Sequence, residues 1–468
     1  MSVSFLARDV VDWTGGELLQ GQESTRFDGV SIDSRTIAPG QLFVAIQGPT
    51  HDGHLFVEGA LSAGAAGLLV ERGRPLSDAA RTAPLIIAVE DTTRSLGALA
   101  AGHRRGFEGP LVAITGSNGK STTKEMCAAI LSESGSCLKN RGNLNNEFGL
   151  PLTLLEREAD HRALVVELGT NHRGEIASLA AIAHPNVGVV TNVGTAHIEF
   201  LGSRDEIAAE KGDLIASLDE QAIAVLNADD HRVMAQAERT RARILRFGQH
   251  AEAEVRAERI TSLGERGFAF DLVTETDQVP VHVAGLGEPT VWNALAASAA
   301  ALAAGAPLLS VSQGLARYKP MSGRMERVSL PRNIILINDT YNANPQSMEV
   351  ALRSLTELKG KSRGVAVLGD MGELGSSAGA AHRATGALVA ELGLDFLFAL
   401  GEFAAEIAEG ATEAGMKPNR VHVGTTHDET SEELRQILQG DDWVLVKGSR
   451  SMQMERVVEA LTRAGDPQ

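Results

Sequence analysis

Residues 110–134 read PLVAITGSNGKSTTKEMCAAILSES, and this stretch decides the fold. Its apolar residues 111–114 predict a short strand that is buried on both faces. A loop with two glycines follows, and apolar residues at helical spacing then predict a helix. A strand, a glycine-containing loop and a helix together bind nucleotide phosphates, because the loop N–H groups and the positive end of the helix attract anions. The stretch therefore predicts a nucleotide-binding α/β domain with a parallel sheet.

The loop supplies the chemistry that a nucleotide needs. Lys120 offers a cation to the outer phosphates, and the Ser121 hydroxyl is a suitable Mg²⁺ ligand. The loop is shorter than the usual phosphate-binding pattern, because Ile114 stands where that pattern has its first glycine. An ordinary strand-to-helix turn is the alternative, but the flanking strand and helix favour phosphate binding. The predicted ATP-binding loop comprises Thr115, Gly116, Ser117, Asn118, Gly119, Lys120, Ser121 and Thr122.

The composition is that of an ordinary globular protein, with 43% hydrophobic and 22% charged residues. At about 150 residues per domain, 468 residues predict roughly three domains. The net charge of -17 argues against a general nucleic-acid binder. Two cysteines require no disulfide framework. The sequence shows no export signal, and residues 291–311 read as a buried helix rather than a membrane span, so we expect a cytoplasmic protein.

Alternating strand and helix signals divide the chain into three α/β units. We predict a small N-terminal domain at residues 1–85, a central ATP-binding domain at 86–317 and a C-terminal domain at 318–468. Within the central domain, residues 250–285 alternate in a way that predicts a β-hairpin insertion or a small antiparallel layer flanking the parallel sheet. The C-terminal domain is predicted to hold a parallel sheet with right-handed crossovers. Its predicted strands are residues 334–337, 365–368, 396–400, 421–423 and 444–446.

Polar residues near two predicted strands are candidates for the site. Glu167 follows the predicted strand 163–166, and a carboxylate at the end of a core strand beside a phosphate loop suits Mg²⁺. An exposed acid at a strand end is the alternative. Asparagine clusters usually mark turns, but amides can also hold phosphate or substrate oxygens. The cluster here consists of Asn143, Asn145 and Asn146.

A second polar group lies in the N-terminal domain. Ser31, Ser34 and Arg35 offer hydroxyls and a guanidinium that suit a diphosphate or a uracil ring. A turn held by an Asp33–Arg35 pair is the alternative, and the residue types alone favour it.

Several segments resemble the Mur ligase family, and they follow one another in the family's order. The phosphate loop is also similar to that of folylpolyglutamate synthetase. The matching segments are DSRTIAPGQLFVAIQGPTHDGH (33–54), TGSNGKST (115–122), TNVGTAH (191–197), AAEKGDL (208–214), YNANP (341–345), GDMGELG (369–375) and KGSRSM (447–452). The resemblance implies a central P-loop ATPase domain with a parallel sheet, flanked by a small N-terminal α/β domain and a Rossmann-like C-terminal domain.

The resemblance also implies a reaction. It is ATP-dependent amide-bond formation through an acyl phosphate, joining D-alanyl-D-alanine to UDP-N-acetylmuramoyl-tripeptide in peptidoglycan precursor synthesis. Residues 1–85 would bind the UDP-sugar-peptide, and the C-terminal domain would bind the dipeptide and close on ATP. We expect a monomer with no nucleic-acid partner. The alternatives are a folylpolyglutamate-type or another Mur-type ligase, and an ATP-gated binding protein without enzymatic activity.

Individual residues receive roles from the same resemblance. Two Mg²⁺ ions are implied, one held by Ser121 and Glu167 and the other by His197 and a carbamylated Lys211. The implied catalytic residues are Lys120, Lys211, His197, Arg324 and Asp339. Arg324 would meet the γ-phosphate when the C-terminal domain closes. The implied dipeptide-binding residues are Tyr341, Asn342, Asn344, Lys447 and Ser449.

The adenine contact departs from the family. The family has His-Asn-x-x-Asn at the start of a helix, where this chain has Pro289-Thr290-Val291-Trp292-Asn293. Only the second asparagine is kept, as Asn293, which we assign to ATP binding. Thr290 is a candidate for a hydrogen bond to the base edge, and Trp292 is a candidate for stacking on the base.

Overall fold

The first α/β unit contains a five-stranded sheet and a two-stranded one. The computed structural model describes residues 4–48, 50–78 and 80–463. The elements of this unit are β1 (Phe5–Leu6), α1 (Ala7–Thr14), β2 (Glu17–Gln20), β3 (Arg26–Phe27), β4 (Val30–Ser31), β5 (Leu42–Val44), α2 (Val57–Ser62), β6 (Gly67–Glu71) and β7 (Ile86–Val89). The larger sheet has the order β2-β7-β6-β5-β4, parallel except for β2 at its edge. Strand β7 belongs to this sheet, although the predicted domain border lies at residue 85.

The central unit is built on a nine-stranded sheet. Its elements are α3 (Thr92–Arg105), β8 (Leu111–Thr115), α4 (Lys120–Leu131), β9 (Ser136–Lys139), α5 (Gly149–Leu155), β10 (His161–Glu167), α6 (Glu175–Ala183), β11 (Val187–Val190), α7 (Ile198–Leu201), α8 (Arg204–Ala216), β12 (Ile223–Asn227), α9 (His231–Met234), β13 (Arg243–Gly248), β14 (Val255–Ser262), β15 (Phe268–Val273), β16 (Gln278–Val283), α10 (Pro289–Ala303) and α11 (Leu308–Arg317). The strand order is β16-β15-β14-β13-β12-β11-β8-β10-β9.

The predicted phosphate-binding strand lies inside the parallel part of this sheet. Strand β8 pairs in parallel with β10 on one side and with β11 on the other, and all five of its residues are buried. The loop after it leads directly into α4. Strands β14, β15 and β16 form the predicted antiparallel layer, which continues the same sheet. The apolar run 291–311 forms parts of two helices rather than one, because the chain turns at Gly305 and Pro307 between α10 and α11.

The C-terminal unit is a six-stranded sheet in the order β17-β18-β22-β19-β20-β21. Its elements are β17 (Glu326–Leu330), β18 (Ile334–Asp339), α12 (Pro345–Lys359), β19 (Gly364–Gly369), α13 (Ala378–Glu391), β20 (Phe396–Leu400), α14 (Ala404–Glu413), β21 (Val421–Gly424), α15 (His427–Ile437), β22 (Trp443–Lys447) and α16 (Glu455–Arg463). The five predicted parallel strands are present. The antiparallel edge strand β17 was not predicted. The alternating polar and apolar residues of this strand follow a linker-like segment and gave only a weak signal.

The three larger sheets confirm the predicted α/β fold, while the borders between domains stay predictions. Parallel strands β18 and β22 lie side by side, so the residues at their carboxyl ends, Asp339 and Lys447, are register partners. Among residues 4–48, 50–78 and 80–463, no helix has both the length and the apolar character needed to span a membrane.

Candidate active site

A cleft of about 860 Å³ lies between the central sheet and the C-terminal sheet. It opens at the carboxyl ends of strands from both sheets, which is where open α/β sheets bind ligands. Most of the predicted site residues line it. They are Ser117, Asn118, Gly119, Lys120, Ser121, Thr122, Asn143, Asn145, Asn146, Glu167, His197, Asn293, Arg324, Asp339, Tyr341, Asn342, Asn344 and Lys447.

The two loop glycines are required by close neighbours. A Cβ atom on Gly116 would lie 1.9 Å from Oγ1 of Thr191, and one on Gly119 would lie 2.1 Å from Oδ1 of Asn293. Both glycines also have a positive φ, 148° and 82°, which side chains disfavour. Helix α4 begins at Lys120, so its free N–H groups face the cleft. Nζ of Lys120 donates to the carbonyl oxygen of Gly116 at 2.8 Å, and burial lowers the pKa of this lysine.

Ser121, Glu167 and Arg324 form the charged centre of the cleft. The Ser121 hydroxyl donates to Oε2 of Glu167 at 2.6 Å and accepts from Nη2 of Arg324 at 2.8 Å. Burial alone would raise the pKa of Glu167, but the charges of Lys120 and Arg324 lower it below its usual value. The carboxylate is therefore ionised. A hydroxyl and a carboxylate are the oxygen ligands that Mg²⁺ prefers, so these two side chains fit a magnesium ion.

The loop of asparagines supports this acid. Nδ2 of Asn145 donates to Oε1 of Glu167 at 2.9 Å, whereas Oδ1 of Asn146 accepts from the N–H of Gly149 at the start of α5. Asn146 therefore orders the turn that leads into α5, which is the role that asparagine clusters usually have. Asn140, which we did not predict, exchanges hydrogen bonds with the backbone of Glu167 at 2.9 and 3.2 Å. No sequence pattern indicates this residue, since it is a single asparagine after a strand.

The implied second metal site is less complete. Lys211 does not line the cleft and is 1% exposed. Burial, together with the nearby charge of Lys120, lowers the pKa of Lys211 to about 7. His197 lines the cleft, and its Nδ1 lies 2.6 Å from Oε2 of Glu373 in the C-terminal unit. Within the described residues, no three His, Cys, Asp or Glu side chains form a metal-binding group.

The C-terminal unit contributes a cationic and aromatic wall. The Arg324 guanidinium lies 3.9 Å from the centroid of the Tyr341 ring. Nζ of Lys447 donates to Oδ2 of Asp339 at 2.6 Å and to the carbonyl oxygen of Asn342 at 2.9 Å. A buried lysine that keeps its charge needs such a carboxylate partner.

The start of helix α12 contacts the phosphate loop directly. Asn344 caps this helix through the N–H of Ser347, and its Nδ2 donates to Oδ1 of Asn118 at 2.9 Å. Gln346, which we did not predict, accepts the N–H of Thr195 at 3.2 Å. The YNANP segment thus caps a helix and also lies beside the phosphate loop.

Two of the three residues expected near the adenine, Thr290 and Asn293, make hydrogen bonds within the protein. Thr290 is 5% exposed, and its hydroxyl donates to the carbonyl oxygen of Leu286 at 3.3 Å. Oδ1 of Asn293 accepts from the hydroxyl of Thr123 at 3.4 Å. Trp292 is half-buried and lines both the cleft and a second cavity of about 340 Å³.

Seven predicted site residues do not line the cleft: Thr115, Gly116, Lys211, Ser449, Ser31, Ser34 and Arg35. The hydroxyl of Thr115 is buried and donates to the carbonyl oxygen of Leu168 at 3.1 Å. Ser449 is buried, and its hydroxyl lies 3.1 Å from that of Ser451.

The polar group of the N-terminal unit forms the internal pair that the residue types favoured. Nη2 of Arg35 donates to Oδ2 of Asp33 at 2.7 Å. Hydrogen bonds from the Arg35 side chain and backbone lower the pKa of Asp33 to about 2. The Arg35 side chain is nevertheless 86% exposed. The Ser31 hydroxyl accepts from the N–H of Asp33 at 3.1 Å, so this turn is ordered by its own residues.

Comparisons with known proteins cover nearly the whole chain. Residues 26–104 match the family model for the Mur ligase family, catalytic domain; residues 114–301 match the Mur ligase middle domain; and residues 323–450 match the Mur ligase, glutamate ligase domain. The UDP-N-acetylmuramoyl-tripeptide–D-alanyl-D-alanine ligase of Escherichia coli (strain K12) is 36% identical over 464 residues, covering 99% of each chain.

Solved structures agree with this similarity. A crystal structure of MurF from Acinetobacter baumannii matches with a TM-score of 0.89 at 34% identity, covering 99% of each chain. A crystal structure of MurF ligase from Thermotoga maritima in complex with ADP matches with a TM-score of 0.80 at 29% identity, covering 93% of this chain and 97% of the other. The chain therefore belongs to the Mur ligase family.

Proposed function

We propose that this protein joins D-alanyl-D-alanine to UDP-N-acetylmuramoyl-tripeptide, using ATP and releasing ADP and phosphate, in peptidoglycan precursor synthesis. Similarity over the full length to relatives named for this reaction supports the substrates. The single observation that carries the chemistry is the bond from Arg324 of the C-terminal unit to Ser121 of the phosphate loop, beside ionised Glu167. This bond brings a cation of the C-terminal unit to the phosphate loop, beside which a γ-phosphate would lie.

The residues of the cleft address the main barrier of the reaction. A carboxylate is a poor electrophile, so ATP must first convert it to an acyl phosphate, and the two reacting anions repel each other. Lys120 and Arg324 offset this repulsion because they lie in a buried cleft, where fixed charges act strongly. When Mg²⁺ is bound, Ser121 and Glu167 would hold it, and it would neutralise phosphate charge. The dipeptide amine then forms the new C–N bond, and phosphate leaves.

We also propose that Lys211 is carbamylated. Its side chain is buried, and the nearby charge of Glu210 offsets only part of the cost of burying an ammonium there. A pKa near 7 leaves much of the amine neutral at physiological pH, and a neutral amine adds CO₂ with loss of one proton. We expect a carbamate signal in ¹³C NMR with labelled bicarbonate, and its absence from Lys211→Ala. A wild-type protein without this signal would refute the modification.

The walls of the cleft and the N-terminal unit offer candidate residues for binding the substrates. Lys447, fixed by Asp339, is suited to the carboxylate of the dipeptide, with Tyr341, Asn342, Asn344 and Ser449 as the other candidates. Ser31, Ser34 and the exposed guanidinium of Arg35 are our candidates for the UDP end. We further propose that the domains close on ATP by rotation near residues 88–92 and 317–322 once the substrates bind. We also propose that the enzyme works in the cytoplasm, where ATP and UDP-linked precursors are found. Since one chain supplies the whole cleft, we expect a monomer.

Product mass analysis tests the function. The protein is mixed with ATP, a UDP-muramyl tripeptide and D-alanyl-D-alanine, and we expect the pentapeptide precursor together with ADP. Lys120→Ala is the matched control, and it should form no product because it lacks the phosphate-loop cation. A parallel reaction with a folate and glutamate should give no product. Ligation in that reaction, with none in the first, would indicate a folylpolyglutamate-type ligase instead.

A further inference from the structure

His197 and Glu373 meet across the cleft from different sheets. His197 lies between β11 and α7 of the central unit, and Glu373 follows β19 of the C-terminal unit. Nδ1 of His197 is 2.6 Å from Oε2 of Glu373. The backbone supports the approach, because the N–H of Glu199 donates to the carbonyl oxygen of Glu373 at 3.3 Å. The two loops therefore touch through a side chain and through the main chain.

Both residues have a left-handed backbone. The φ angle is 64° at His197 and 61° at Glu373. Glycine adopts this conformation without steric cost, and glycines stand nearby at positions 372 and 375, yet the strained position itself carries a long acid. Strain of this kind persists where the surrounding structure requires it and is concentrated at functional sites. The Glu373 side chain, rather than its backbone, is thus what this position needs.

The contact occupies one ring nitrogen of His197 and leaves the other one for the cleft. With hydrogen on Nδ1 donated to the carboxylate, the lone pair of the neutral ring is on Nε2. His197 lines the cleft, and no group in the chain as described bonds to Nε2. A carboxylate that accepts from one ring nitrogen fixes the tautomer and orientation of a metal-binding histidine and increases its basicity.

We infer that Glu373 is a positioning residue for the second divalent cation: it holds His197 with Nε2 directed to the cleft, and it can do so only when the C-terminal unit is closed. This inference rests on the role of His197 as a metal ligand, which the family resemblance implies and which its position in the cleft supports. Because the acid and the histidine belong to different units, cation binding favours closure, and closure favours cation binding to the same degree. A plain ion pair between the units would act differently, since it needs a protonated histidine that cannot bind a cation.

The test measures Mn²⁺ affinity and thermal stability on the same variants. Mn²⁺ is titrated, with detection by electron paramagnetic resonance, into the full-length protein with a non-hydrolysable ATP analogue and a UDP-muramyl tripeptide. Glu373→Gly should weaken Mn²⁺ binding about 10- to 100-fold, while its melting temperature is not lowered, because glycine relieves the left-handed strain. Glu373→Gln keeps an acceptor and should lose less affinity. Glu391→Ala, which removes an exposed acid away from the cleft, should bind Mn²⁺ like the wild type.

The outcomes separate this inference from the proposed function. If Glu373→Gly binds Mn²⁺ as tightly as the wild type while His197→Ala binds it weakly, the role of Glu373 is wrong and the metal role of His197 stands. If His197→Ala also binds normally, the assignment of His197 as a ligand is itself wrong. Should Glu373→Gly melt at a lower temperature, Mn²⁺ binding is measured well below that temperature, and wild-type affinity there overturns the inference.

Discussion

Removing Arg324 should slow the reaction strongly while leaving the fold intact. This side chain comes from the C-terminal unit, donates to Oγ of Ser121 at 2.8 Å and lies 3.9 Å from the Tyr341 ring centroid. In Arg324→Ala both contacts and one cation of the cleft are lost. Losing one preorganised electrostatic group in an active site costs about 10²- to 10³-fold in kcat, or about 3–4 kcal/mol of transition-state stabilisation. We expect a loss in that range.

Companion variants divide this effect into its parts. Arg324→Lys keeps a charge but lacks the planar fork and stacks poorly, so it should recover only part of the activity. Tyr341→Ala removes the ring beneath the guanidinium, and the loss should correspond to a cation–π contact of about 0.5–2 kcal/mol. Tyr341→Phe keeps the ring and should leave kcat near the wild-type value.

The assay is steady-state phosphate release with all three substrates saturating. Melting temperatures of each variant control for folding. The reasoning is refuted if Arg324→Ala keeps kcat within about threefold of the wild type, since an electrostatic role of the expected size would then be absent. A loss seen only in the KM for ATP would also refute it, because it would mean that Arg324 binds the ground state and the transition state equally.

Three further predictions concern the phosphate loop, the ionisation of Glu167 and the Asp442–Arg363 ion pair. Gly119→Ala should abolish ATP binding in calorimetry, because the new Cβ would lie 2.1 Å from Oδ1 of Asn293 and the φ of 82° disfavours any side chain; binding at wild-type affinity would contradict this. Glu167 has a lowered pKa in the folded state, so its contribution to stability is present above its unfolded pKa and is lost as the pH falls through the folded value. As the pH is lowered below about 4.5, the melting temperature of the apo-protein should therefore decrease. The melting temperature of Glu167→Gln should decrease less steeply over the same pH range. Asp442→Ala should lower the free energy of unfolding, measured in urea, by about 3 kcal/mol. The Asp442 side chain is 2% exposed and its Oδ1 accepts from Nε of Arg363 at 2.9 Å, so the substitution leaves Arg363 without its carboxylate partner. An unchanged unfolding curve would mean that this pair contributes nothing net.

The sequence predicted the fold well because its strands are buried in parallel sheets. Such strands read as continuous apolar runs, as in residues 111–114, and each is followed by a helix signal. The five parallel strands of the C-terminal unit were predicted for the same reason. The edge strand β17 was missed because its residues alternate in burial. The break between α10 and α11 falls at Gly305 and Pro307, two residues that disfavour a continuous helix within an otherwise alanine-rich run.

The candidate site was predicted only where its residues lie within one motif. The phosphate loop and Glu167 follow directly from strand ends, whose position in a parallel sheet is fixed by topology. Contacts between units have no local pattern, so Gln346 and Glu373 were not identified as site residues. Their partners, Thr195 and His197, are more than a hundred residues away in the chain.

These contacts between units explain how the enzyme would avoid hydrolysing ATP without ligation. Arg324, Asn344 and Glu373 all belong to the C-terminal unit, yet each bonds to a residue of the central unit. An open cleft would therefore lack one cation at the phosphate loop and would leave His197 without its acid. Because the proposed closure would complete the charged set and exclude water, phosphoryl transfer should depend on the bound acceptor. We expect ATP hydrolysis without the UDP-muramyl tripeptide to be far slower than ligation, and equal rates in a phosphate-release assay would show that the site is complete in the open state.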